Sequence, residues 1–400
     1  MNKSELISGL RSHYPKIARK KLAKARLNII KKYRISPKDV KIAEESENNK
    51  EQAVRRFEKK HGKKYSSLVK ASETVIRNAP EFKDLSADKK EKLICDMVFK
   101  YIAYGFQPDE YLCYELLGKT PKQCRQFISD TDRYSIVYSI NDISDQQCFL
   151  NKIKCYTKFG EYYKRDAVIV RGSKDYDNYL KFVEKHSEFV QKKTCASRGH
   201  GVELKSVGQS SEAKQQYFNS LISSGKYLLE ERVAQGKQTA VLNPSSVNTI
   251  RCITFNTKHG VKVAYTFMKV GRAGSFVDNG GAGGILVGID KDTGVLDSNG
   301  IDENNVVYTK HPDSGIVFKG YQLPDWQSML DMCIEMSSKA PTVKYIGWDV
   351  AYSDSGWVLI EGNMGQFIGP QTIYKIGIKK QVQEYLKDME PIPRIIANKE

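Results

Sequence analysis

The chain has 400 residues, enough for two or three domains with buried cores. No apolar run approaches the ~18 residues of a membrane span, and Met1–Glu5 opens no signal peptide. Eight Cys without a CxxC pair and six His without an HExxH spacing argue for reduced thiols and against zinc, so a cytoplasmic protein is expected.

The net charge of +17 is uneven: residues 1–70 carry 21 Lys and Arg against 7 Asp and Glu. Lys16–Arg34 is rich in helix formers, but Ile17, Leu22, Ile29, Ile30 and Tyr33 give it only a ragged apolar stripe. Three uses of this charge stay open: a solvated face, contact with an anionic membrane surface that makes the protein peripheral there, or contact with an acidic glycan or carrier. Nucleic acid is not expected, because no aromatic interleaving accompanies the charge. A competing role for this helix is packing onto the rest of the chain.

Residues 1 to 130 read as helical, with apolar positions at Leu93, Ile94, Met97, Val98 and Tyr101 at helical spacing. Strands are expected from there on, at Ala167–Val170, Phe189–Lys192, Tyr227–Glu230, Thr249–Phe255, Val261–Val270 and Ile285–Ile289. Helices are expected at Asp175–His186 and Ser211–Ser223. A closing pair, Val343–Tyr352 and Trp357–Ile360, is joined by the turn Ser353-Asp354-Ser355-Gly356. Hairpin-linked strands with few helices argue for an α+β fold with an antiparallel sheet.

Chemistry concentrates in that last pair. Asp349 lies on the first strand and Glu361 on the second; Asn363, two residues on, shares the face of Glu361. Acids embedded among Gly347, Trp348, Val350 and Ile360 are usually paired or metal-bound, and three such oxygen donors suit Mg²⁺. Earlier, a strand ends at Lys192-Lys193 and runs into the small-residue loop Ser197-Arg198-Gly199-His200-Gly201, a phosphate-friendly pattern that is weak by itself. Arg251, between Ile250 and Cys252, demands an anionic partner: either a structural ion pair, or a γ-phosphate or tetrahedral oxyanion. Asp278 opens a glycine-rich loop that either lines an acceptor site or lends an oxygen ligand, and His311 begins another loop.

In order, Asn248-Thr-x-Arg251, Asp278-Asn-x-Gly281, His311-Pro-x-Ser-Gly315, Gly320-Tyr-x-Leu-Pro-x-Trp326 and Gly347-Trp-Asp349 with Ile360-Glu-Gly-Asn363 resemble the sugar-transfer-associated branch of the ATP-grasp superfamily. The resemblance implies an ATP-grasp fold, two α+β lobes gripping ATP, after a helical N-terminal region. The expected division is 1–130, 131–240 and 241–390.

It also implies residue roles. Asp349, Glu361 and Asn363 would hold Mg²⁺. Lys192 would clamp phosphate, with Lys193 where the family has Pro. Lys152 would be the second phosphate lysine, although Asn151 replaces the family's Asp. Ser197, Gly199 and Gly201 would cover ATP, and Glu230, Glu231 and Val233 would read adenine. Asn248 and Asp278 would complete the nucleotide side, and Arg251 with Lys192 would act in catalysis.

The implied activity is an ATP-dependent carboxylate–amine ligase working through an acyl phosphate. It would join a sugar acid or nucleotide sugar to an amino acid or small amine in capsule or surface-polysaccharide assembly. The alternatives are a phosphotransferase acting on a hydroxyl and a non-catalytic ATP-binding scaffold at the membrane surface.

Overall fold

Serine caps set the helices of the N-terminal region. Ser46 accepts from the Asn49 amide to start Glu47–Asn78, and Ser86 starts Ala87–Tyr104, which ends at Gly105 with φ +86°. The two helices bury Val54, Phe57, Leu68 and Ile76 against Leu93, Met97, Val98 and Ile102. The structure, a computed structural model, describes residues 24–389 apart from 26, 143–144, 196–200, 273, 276–277, 279–282 and 365. Ile17 and Leu22 of the ragged stripe therefore lie outside the described residues. Of its remainder, Tyr33 packs on the helical core, whereas Ile29 is 58% exposed. Next to Tyr33, Arg34 donates from Nη2 to the Ala103 carbonyl at 3.0 Å and Ile35 joins the same core. The stretch thus divides between packing and exposure.

A four-stranded antiparallel sheet follows, formed by β1 (Ala167–Val170), β2 (Glu188–Lys193), β3 (Val202–Ser206) and β4 (Tyr227–Glu231) in the order β1-β4-β2-β3. Helices Tyr176–Lys185 and Ser211–Ser224 cover it, placing Tyr179, Phe182, Phe218 and Leu221 against Val168, Phe189 and Leu229.

The second sheet has seven antiparallel strands: β5 (Thr249–Thr257), β6 (Gly260–Val270), β7 (Ile285–Ile289), β8 (Leu296–Ile301), β9 (Val307–Tyr308), β10 (Tyr345–Ser353) and β11 (Gly356–Met364). Their order is β11-β10-β5-β6-β7-β8-β9. Helix Trp326–Ser338 covers one face, with Met329, Cys333 and Met336 meeting Cys252, Met268 and Trp348; helix Lys379–Lys387 covers the other. Covered on both faces, β5 is nearly all buried, which makes its single arginine conspicuous. The turn after β10 forms as its residues dictate, with Gly356 at φ +83°.

The strands expected from sequence are present; β3, β8 and β9 are additional. Packing also corrects the expected division at 131–240. Ile136 and Val137 pack with Ile253 of the seven-stranded sheet, and Phe149, Phe159 and Tyr163 share its other core. The smaller lobe therefore begins near Arg165. The N-terminal region is fastened to the larger lobe by Gln371, fully buried, whose Oε1 accepts from the Ile128 amide (2.8 Å) while its Nε2 donates to the Ile128 carbonyl (2.9 Å).

Candidate functional site

Strand register assembles the site. Glu361 on β11 pairs with Asp349 on β10, and Asp349 pairs with Arg251 on β5, so three charged residues form one row across three strands. A bulge after Asp349 makes Val350 oppose Leu359 and brings Glu361 level with Asp349. Asn363 bridges the acids: its Nδ2 donates to Asp349 Oδ2 at 3.0 Å and to Glu361 Oε1 at 3.1 Å. The three predicted metal-side residues are together.

Asp349 is nevertheless engaged by the chain itself. The Arg251 fork grips both its oxygens, with Nη2 2.8 Å from Oδ2, and Lys269 Nζ lies 3.1 Å from Oδ2. Burial would push the Asp349 carboxyl up, but Arg251 and Lys269 outweigh it and hold it down at about 2. Of the two readings of Arg251, the structure holds the ion pair. Gly347 leaves room for it, since a Cβ there would stand 3.1 Å from Arg251 Cδ. Asp278 joins from its loop: Oδ2 accepts from the Thr249 amide at 2.9 Å, Lys269 lies 3.9 Å from Oδ1, and burial raises its carboxyl. Glu361, half-buried, accepts from Asn363.

A Mg²⁺-type ion needs hard oxygen donors on one face. Glu361 supplies charge and Asn363 a carbonyl oxygen, because its Nδ2 is the end turned to the carboxylates. These two fit such an ion, with Asp349 behind them as the acid that fixes Asn363. That modifies the expected direct coordination by Asp349.

On the other lobe, Lys192, the last residue but one of β2, is buried, with Nζ 2.8 Å from Glu230 Oε1 and 2.9 Å from Oε2. Burial lowers the Lys192 pKa, and Glu230, its nearest anion, only partly opposes this; Glu361 adds a weaker pull from the other lobe. Glu230 is held below the usual carboxylate range because Arg165 and Lys192 outweigh its burial. Glu230, where the resemblance implies an adenine acceptor, makes ion pairs with Arg165 and Lys192. Lys193, the next residue on the strand, leaves by the other face, its Cε 3.6 Å from where a Gly225 Cβ would stand. Glu231 likewise turns away, accepting from the Asp166 amide at 3.0 Å, with Val233 two residues beyond the end of β4.

Lys152 opens helix Lys152–Phe159 under an Asn151 cap, its amide donating to the Thr194 carbonyl at 3.0 Å, which puts it beside the end of β2. Gly201, at φ +71°, accepts from the Lys193 amide and closes the loop whose Ser197 and Gly199 lie outside the described residues. Asn248 is corrected: Nδ2 donates to the Thr239 and Asn243 carbonyls, both at 2.9 Å, and Oδ1 accepts from Gly271, so its side chain is spent on the loop. His311 is fully buried with both ring nitrogens bonded to backbone, a structural use.

Sequence reasoning missed Lys269 and Arg165. Lys269, between Met268 and Val270, carries the same signal as Arg251, a cation inside an apolar strand. Arg165 precedes β1 beside Lys164, where it reads as a solvated strand end.

Two comparisons bear on this site. Residues 126–387 match the family described as sugar-transfer associated ATP-grasp. Among solved structures, the phosphoribosylamine–glycine ligase of Thermotoga maritima aligns at 10% identity and TM-score 0.42, covering 66% of this chain and 60% of that one. The D-alanine–D-alanine ligase of Helicobacter pylori aligns at 14% and 0.38, covering 63% and 62%. An ADP complex of N5-carboxyaminoimidazole ribonucleotide synthetase aligns at 10% and 0.35, covering 55% and 46%. The chain thus spans roughly half to three-fifths of the length of these structures, and likeness at this level carries nothing about reaction. No curated protein matches the chain. Among the described residues, no helix is long and apolar enough to cross a membrane.

Proposed function

Because the chain belongs to the sugar-transfer-associated ATP-grasp family, we propose that it is an ATP-dependent carboxylate–amine ligase acting on a sugar acid or nucleotide sugar in surface-polysaccharide assembly. The observation that carries this reading is the row of Arg251, Asp349 and Glu361 across three strands, with Asn363 bridging the two acids. Lys192, which shares Glu230 with Arg165, binds phosphate oxygens; Glu361 and Asn363 hold Mg²⁺, which when bound neutralises phosphate charge.

A carboxylate at neutral pH is a poor electrophile, and activation by ATP removes that obstacle. A carboxylate oxygen of the substrate attacks the γ-phosphorus, the bond to ADP breaks, and an acyl phosphate forms. The amine nitrogen then attacks the acyl carbon, phosphate leaves with the C–O electron pair, and the nitrogen loses a proton to give the amide. Asp349, clamped by Arg251 and Lys269, keeps the metal-side residues rigid while charge moves. The basic N-terminal residues, of which Lys31, Lys32, Lys59 and Lys60 are exposed, are the surface for an anionic membrane or acidic glycan.

The test is an ADP and phosphate assay over a panel of uronic acids and amines, with product mass. Loss of water between acid and amine, with ADP and phosphate released, supports the ligase. A phosphate added to a hydroxyl replaces it with the phosphotransferase, and nucleotide binding indifferent to Mg²⁺ without turnover replaces it with the scaffold.

A further inference from the structure

Arg165 is a buried side chain that the ligase reading does not use. Its side chain is 5% exposed, and its guanidinium makes four hydrogen bonds to three acceptors. Nε donates to Glu230 Oε2 at 3.0 Å and Nη2 donates to the same oxygen. Nη1 donates to the Tyr163 carbonyl at 3.0 Å and to the Leu359 carbonyl at 2.8 Å, and the plane lies over the Tyr163 ring, 4.6 Å from its centroid. Leu359 belongs to the other lobe. It is the last residue of β11 in register before the bulge that brings Glu361 opposite Asp349. A bulge interrupts the ladder and leaves a backbone group to be satisfied from elsewhere.

The contacts therefore make a circuit: Lys192 to Glu230, Glu230 to Arg165, Arg165 to the bulged stretch of β11, and from there to Glu361, whose charge acts on Lys192. We propose that Arg165 is the positioning residue that keeps the phosphate-side lysine and the metal-side acid in register across the two lobes; this rests on the ATP and Mg²⁺ reading above. Only arginine meets the geometry. A flat fork offers one edge to the carboxylate and another nitrogen to two carbonyls, whereas a lysine ammonium has three donors on one point. Arg165 does not touch the nucleotide; it holds the strand and the acid between which the nucleotide enters.

The experiment uses the full chain, a fluorescent ATP analogue and a Mg²⁺ titration, comparing wild type with Arg165→Lys and with Val183→Ala. Val183 is buried beneath the smaller sheet and touches none of the circuit, so its truncation reports loss of stability alone. For Arg165→Lys, the Mg²⁺ needed for half-maximal nucleotide binding is expected to rise at least about tenfold, as for residues that orient metal ligands. Binding in EDTA should change less than about threefold, and Val183→Ala should leave the Mg²⁺ requirement where it was. An Arg165→Lys protein whose Mg²⁺ requirement matches that of Val183→Ala overturns the proposal. Amide exchange at residues 359–362, followed without nucleotide, separates the two readings. Faster exchange there in Arg165→Lys alone, in a protein whose nucleotide binding ignores Mg²⁺, breaks the ATP·Mg²⁺ reading but keeps the strand-holding role. Unchanged exchange overturns that role.

Discussion

Each sheet buries one carboxylate between two cations, and the surroundings of the two triads differ in sign. On β4, Glu230 stands against Lys192 and Arg165, leaving one positive charge in excess. On β10, Asp349 stands against Arg251 and Lys269, but Asp278 and Glu361 add two negative charges, leaving one negative in excess. Unit charges 4 Å apart at a partly screened site interact by about 4 kcal/mol, so an excess of one charge decides which ion enters. The same device thus leaves one lobe locally positive and the other locally negative. Neither triad is a large source of stability in itself, because desolvating its charges costs about what their attraction returns.

The comparison breaks hardest at Glu361. Glu361→Gln keeps the shape and removes the excess negative charge. ATP turnover should fall by about 100-fold or more, because a metal clamp supplies several kcal/mol in the transition state, while the melting temperature stays within about 2 °C. Steady-state ADP release with a thermal melt checks both, and activity retained within a few-fold would sink the metal assignment.

Asp349→Asn should act mainly on the fold, since it strands two buried cations. The expected loss is about 3–5 kcal/mol by urea unfolding, and a loss under about 1 kcal/mol would refute the clamp. The same residue gives a pH signature. Its folded pKa of about 2 lies below the unfolded value near 3.9, so its contribution is complete above the unfolded value. That contribution, about 2–3 kcal/mol, is lost as pH falls through roughly 4 to 2. Unfolding measured across that window should show the drop in wild type and lack this share of it in Asp349→Asn.

Strand alternation sharpens the positive side. Lys192→Met should weaken ATP binding about tenfold or more, and Lys193→Met less than about threefold, since only Lys192 faces Glu230. Calorimetric titration with ATP and Mg²⁺ decides it, and equal losses would show that both lysines reach phosphate.

The smallest effect is expected from trimming the N-terminus. Removing residues 1–23 should leave ATP·Mg²⁺ affinity unchanged but weaken sedimentation with anionic vesicles, more so at low salt, because exposed charges are screened over about 8–10 Å at physiological ionic strength. Extending the cut to residue 35 also removes Tyr33, Arg34 and Ile35 from the helical core and should lower the melting temperature. Equal melting of the two truncations would show that these residues contribute nothing to packing.

Period-two alternation made Glu361 and Asn363 legible as one face, but the turn's register alone would set Asp349 opposite Ile360, and the bulge that brings Glu361 level with it was not legible. Which strand lies on the other flank of β10 was not legible. The pairing of Arg251 with Asp349 spans 98 residues and depends on sheet order, which local pattern does not carry. β8 was missed because Asp297-Ser298-Asn299-Gly300 reads as a turn, yet pairing with β7 draws it into a strand. β3 was missed because an edge strand with an exposed centre lacks a buried alternation. Glu230 and Arg251 both sit in buried ion pairs whose partners sequence did not name. A buried charge must find a partner, and sequence shows the need without showing which group answers it.

Gln371 gives the basic helical region a second character. A side-chain amide that accepts from one peptide N–H and donates to the same residue's carbonyl stands in for a stretch of neighbouring backbone, and it does so without charge. Ionic strength therefore acts on the two sides of this region differently. Salt that screens its exposed lysines acts little on this neutral pair of bonds, whereas it weakens the Lys375–Glu115 ion pair that crosses the same seam at 3.5 Å. The amide of Gln371 thus keeps its hold on Ile128 at an ionic strength that screens the lysines outside.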